Sequence, residues 1–155
     1  MTPTDQPWYR FVMGESGEPS LRSTGRASRV QRQVVRELWR YANSEWVDDI
    51  VAEVNGALSG IAKEGGYGIS TGGDFGFHFE LDGRVIVWFE YDHEAEGDDR
   101  YPAPARELTM PMSEFEPLFR EWAASVRHWE ALKAKHGGVV PKEHWPKSYP
   151  PKLSS

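Results

Sequence analysis

The chain has 155 residues, 24 acidic and 18 basic side chains for a formal charge of −6, and no cysteine. That length suffices for one domain burying about two thirds of its unfolded surface without a metal or disulfide staple, and the missing cysteines exclude a disulfide framework and thiolate-bound zinc. No run approaches the roughly 18 apolar residues of a membrane span, and the polar N-terminus lacks an apolar leader, so a cytoplasmic protein is expected. Twelve Arg against six Lys suggest a GC-rich bacterial source.

In chain order, residues 1–6 read as a loose lead-in and Trp8 to Met13 as a first strand. The Gly, Ser, Pro, Glu and Arg of residues 14–27 read as a long mobile connection. Ser28 and Gln31 have capping-box spacing, and Val30, Val34, Val35, Leu38 and Ala42 follow on one face, which predicts a helix near 28–43. Val47, Ile50, Val51, Val54, Leu58 and Ile61 form a second stripe, rotated by well over 90° from the first at about 100° per residue. A break near Asn43-Ser44 and a second helix over 44–64, stopped by Gly65-Gly66, are therefore predicted. Tyr67 to Thr71 reads as a strand entry to the segment that follows.

Asp74 to Asp92 reads as a β-hairpin, with two aromatic and β-branched runs around Asp82-Gly83. A two-residue loop there pairs Leu81 with Arg84, Phe79 with Ile86, Phe77 with Trp88 and Phe75 with Glu90. Phe75, Phe77, Phe79, Leu81, Ile86 and Trp88 would then share a buried face. The second strand is apolar on both faces, which predicts a central position and leaves Phe89 and Tyr91 as an aromatic surface for a cover or a partner. Arg106 to Met110 alternates as a further strand, at an edge because Pro111 follows. Ser113 and Glu116 make a second capping box, and Phe115, Leu118, Phe119, Trp122, Val126, Trp129 and Leu132 repeat at helical spacing, predicting a helix over 113–136 that stops at Gly137-Gly138. The expected fold is α+β: an antiparallel sheet of about four strands centred on the 74–92 hairpin, packed against three helices. Residues 1–138 are expected to form one globular domain, followed by a Pro-rich, basic tail or strap over 139–155 with Trp145 and Tyr149 as anchors.

The catalytic motifs fail in context. Gly68-Ile69-Ser70-Thr71-Gly72 matches G-x-S-x-G, but a hairpin strand follows where the nucleophile elbow needs a helix. His78-Phe79-Glu80 has the spacing of zinc deaminases without their helix or cysteines, and His93 falls roughly 20 Å along the sheet from His78. The segment from Asp92 begins like a calcium loop but has Ala103 at position 12. No cofactor, metal site or catalytic residue is called for.

Charge segregation survives better. Six acidic residues and no basic one lie between Glu90 and Asp99. Beside the aromatics they define a candidate partner surface of Phe89, Glu90, Tyr91, Asp92, Glu94, Glu96, Asp98 and Asp99. The leading expectation is a non-enzymatic protein that binds another, basic protein there, as an inhibitor, antitoxin or immunity-type antidote would. The alternative places nucleic acid on a helical arginine face of Arg29, Arg32, Arg36 and Arg40, since guanidinium forks match phosphate oxygens. A third expectation, a small enzyme, would have to assemble Glu80, His78 and Tyr91 in three dimensions.

Overall fold

A computed structural model describes residues 7–40, 43–70, 75–89 and 106–151. It shows three helices with a two-stranded and a four-stranded antiparallel sheet, the α+β class the sequence predicts. The chain divides into two compact units: Met1–Val47 with Glu116–Ser155, and Asp48–Phe115.

The first unit opens with a hairpin of β1 (Tyr9–Met13) and β2 (Pro19–Ser23), which pairs Tyr9 with Ser23, Phe11 with Leu21 and Met13 with Pro19. The expected long connection over 14–27 therefore contains a strand. Its turn is closed by the Gly14 N–H donating to the Glu18 carbonyl, with Gly17 in the left-handed region at φ 94°. Helix α1 (Arg29–Arg40) begins at the expected box: the Gln31 amide oxygen accepts from the Ser28 N–H at 2.8 Å, and the Ser28 hydroxyl accepts from the Gln31 N–H at 3.3 Å. Val34, Val35 and Leu38 are buried as the stripe requires.

Helix α2 (Ser44–Leu58) starts where the two stripes demanded a break. Asn43 accepts from the Trp46 N–H at 2.8 Å, and Ser44 donates from both its backbone and its hydroxyl to Glu130. The helix ends six residues before the expected 64. Gly60, at φ 73°, supplies the left-handed residue earlier than Gly65-Gly66, and Ile61 is left 67% exposed.

The second unit is built on a sheet ordered β3 (Tyr67–Ser70), β4 (Phe75–Phe79), β5 (Arg84–Phe89), β6 (Arg106–Pro111). β5 is central and β6 an edge, as predicted. The hairpin register differs from the prediction by one residue: Phe79 pairs with Val85, Phe77 with Val87 and Phe75 with Phe89. The Glu80 N–H donates to the Arg84 carbonyl and the Gly83 N–H to the Glu80 carbonyl. The loop is thus three residues, with Gly83 at φ 91° in the position that a turn followed by a bulge requires. A one-residue slip inverts the second strand. Val85, Val87 and Phe89 join Phe75, Phe77 and Phe79 on the buried face, while Ile86 and Trp88 turn to the half-exposed face with His78. The Phe115 ring lies 5.3 Å from Phe77 and 5.5 Å from Phe79, centroid to centroid, completing an aromatic cluster.

Helix α3 (Met112–Lys135) buries Phe115, Leu118, Phe119, Trp122, Val126 and Trp129. It stops at Gly137-Gly138, where the Gly138 N–H donates to the Lys133 carbonyl at 2.7 Å. In the first unit, residues 139–151 then form a strap. The Trp145 indole donates to the Val140 carbonyl at 2.8 Å, and the Tyr149 hydroxyl donates to the Gly17 carbonyl at 2.7 Å. Burial, with the Glu18 carboxylate nearby, raises the Tyr149 pKa; burial and Glu121 raise that of Tyr9.

Candidate functional site

The two expected binding surfaces fare differently. Of the acidic and aromatic surface, Glu90, Tyr91, Asp92, Glu94, Glu96, Asp98 and Asp99 lie outside the described residues. Phe89 is only 2% exposed, so its ring belongs to the sheet core. The expectation that it faces outward is corrected by the register: pairing with Phe75 puts both rings on the buried side.

Among the described residues the chemical motifs do not converge on a reacting centre. Ser70 is exposed at the end of β3, and Gly72 of the literal motif is outside the described residues. His78 Nε2 stands 3.6 Å from Glu80 Oε1, both partly exposed, whereas Tyr91 is not described. A hollow of about 320 Å³ does lie beside His78, lined also by Glu53, Lys63, Ser70 and Trp88. Its polar groups are engaged structurally: Glu53 accepts from the Gly68 N–H at 3.0 Å and faces Lys63 Nζ at 3.7 Å. The rings of His78 and Trp88 lie where a Cβ on Gly66 or Gly76 would stand. Among the described residues no three His, Asp or Glu side chains could hold a metal ion.

The arginine face lines a groove. A groove of about 260 Å³ is lined by Leu21, Arg22 and Ser23 of β2 and by Arg32, Val35, Arg36 and Trp39 of α1, all in the first unit. Helical spacing explains the α1 side, since Arg32, Arg36 and Trp39 stand at i, i+4 and i+7 on one flank. The β2 side follows from the strand's burial pattern. Leu21 turns into the core, so its neighbour Arg22 turns out.

Three details define the electrostatics. The Arg32 guanidinium donates through Nη1 to the Ala27 carbonyl at 2.8 Å, which holds it near the helix start. The Arg22 guanidinium sits 6.0 Å above the Trp39 ring, at the outer limit of a cation–π contact. Arg36 lines the groove while its Nη1 is enclosed, with no hydrogen-bond acceptor among the described residues. Among the described residues no carboxylate lines the groove. Glu37, the only acid in residues 22–40, is 2% exposed and accepts from Gln33 Nε2 at 2.8 Å.

Of the four arginines expected on this face, Arg32 and Arg36 enter the groove and Arg29 is exposed outside its lining; the Arg40 side chain is not described. Arg22 and Trp39 also line the groove, although neither belongs to the arginine face expected from the sequence. Trp39 could have been found on the helical wheel, three residues from Arg36. Arg22 could not, because its strand carries no apolar alternation.

Among the described residues no helix is long and apolar enough to cross a membrane. Compared with protein-family models, with curated proteins and with solved structures, the chain matches none.

Proposed function

We propose that this chain is a non-enzymatic binding protein that holds nucleic acid by its phosphates in the groove between β2 and α1. The observation that carries this reading is three arginines lining one groove with an exposed tryptophan and, among the described residues, no carboxylate. Guanidinium forks match phosphate oxygens. The groove is smaller than the roughly 300–1,000 Å³ of a ligand-enclosing pocket, which suits a piece of an extended polymer better than a whole cofactor. The net charge of −6 opposes association at long range, but salt screens it beyond about 8–10 Å, so local charge governs the contact.

Affinity for a fluorescent oligonucleotide, measured across a salt series, tests the reading. Replacing Arg22, Arg32 and Arg36 by Gln should abolish tight binding and flatten the log–log salt slope by about 2, at about 0.7 per phosphate contact on a single strand. Equal affinities and slopes for the two proteins would overturn it.

A second reading keeps the acidic segment as the binding element for a basic protein, an inhibitor or antidote role. It is supported by the six acidic residues from Glu90 to Asp99. With Phe89 in the core, charge must carry it. Changing Glu94, Glu96, Asp98 and Asp99 to amides should then eliminate recovery of a basic protein from lysate; recovery that ignores the change would refute it.

A further inference from the structure

We infer that the groove selects single-stranded over double-stranded nucleic acid, by stacking an unpaired base against Trp39; this rests on the nucleic-acid reading above. Trp39 is 47% exposed, unusual for so large an apolar ring, and it is shared by two depressions. On one side lies the arginine groove. On the other, still within the first unit, lies a depression of about 240 Å³ lined by Glu18, Pro19, Val126, Trp129 and Lys133.

The two sides differ in chemistry in the way that the two parts of a nucleotide differ. The arginine side offers Arg22, Arg32 and Arg36 to phosphate oxygens. The other side has an apolar floor of Pro19, Val126 and Trp129, each more than nine-tenths buried, so the exposed Trp39 ring is the surface against which a base can lie, with one cation at Lys133. Glu18, whose carboxylate accepts from the Ser16 N–H at 2.9 Å, is fixed beside that second depression and repels phosphate from it. A strand is thereby oriented, with its backbone on the arginine side and one base across Trp39. A duplex cannot use this arrangement, because its bases are already stacked and paired. Stacking of this kind tolerates any base, since every base has a π-face.

The test uses the full chain with three labelled probes of equal length: oligo(dT), a duplex, and an abasic deoxyribose-phosphate oligomer carrying the same charge density. Wild type is expected to bind oligo(dT) roughly 5- to 150-fold more tightly than the abasic oligomer, and more tightly than the duplex. Trp39→Ala should erase that preference while keeping the residual, salt-dependent affinity for all three probes. Trp39→Phe should restore most of the preference, and matching circular dichroism melts would exclude misfolding as the cause. Equal binding of oligo(dT) and the abasic oligomer by wild type, or an unchanged preference in Trp39→Ala, would overturn the inference and leave the phosphate reading standing. Failure of all three probes to bind at low salt would overturn both, and poly-glutamate binding as tightly as oligo(dT) would do the same.

Discussion

Phe77→Ala is expected to destabilise the protein by about 3–5 kcal/mol, the range for truncating a buried aromatic ring. Phe77 is almost fully buried, and its centroid lies 5.9 Å from Phe75, 6.3 Å from Phe79 and 5.3 Å from Phe115. Its loss opens a cavity among rings that cannot move together without abandoning the sheet register. At about 2–4 °C per kcal/mol for a chain of this size, the midpoint of thermal unfolding should fall by roughly 6–20 °C. The informative companion is Trp88→Ala. In the register predicted from the sequence, Trp88 faces Phe77 and its removal would cost as much; in the observed register Trp88 is half-exposed across from Gly76 and should cost well under half. Comparable losses for the two variants would mean that the observed pairing is wrong.

Gly17→Ala should cost about 2–5 kcal/mol, against about 1–2 kcal/mol for Gly83→Ala. Both glycines sit at nearly the same left-handed φ, 94° and 91°, so a side chain pays the same conformational cost at either. Their surroundings differ. A Cβ on Gly83 would meet nothing within 4 Å, whereas one on Gly17 would stand 2.7 Å from the Trp145 ring. The excess at Gly17, about 1–3 kcal/mol for overpacking, measures how firmly the strap is held against the first hairpin. Denaturant titration of the two variants checks this, and equal losses would show that Trp145 moves aside without cost.

What could be read from the sequence was mostly local. The Ser28–Gln31 box and the Gly137-Gly138 stop depend on groups within a few residues, and the helix stripes on a period that burial respects. The two-residue loop at Asp82-Gly83 failed because the choice between two and three loop residues depends on whether Glu80 pairs with Arg84. That is decided by which side of β5 the core needs. Either side was apolar enough. Strand β2, with the sequence PSLRS, was invisible because the burial of Pro19 and Ser20 comes from neighbours remote in sequence. The candidate site inherits both cases. Arg32 and Arg36 were legible as a helical face, while Arg22 became part of the site only once its strand was placed beside α1.

The bond from Tyr149 to Gly17 spans 132 positions of the chain. Its unit is therefore assembled from two separated stretches, whereas Asp48–Phe115 is continuous. During synthesis at about 5–20 residues per second, the continuous unit has all its residues first. The arginine groove's own stretch emerges earliest, yet its unit must wait several seconds, with apolar side chains uncovered, for α3 and the strap to leave the ribosome. A pause or truncation shortly before Trp145 would thus expose the unit that contains the candidate site, although every groove residue had already been made.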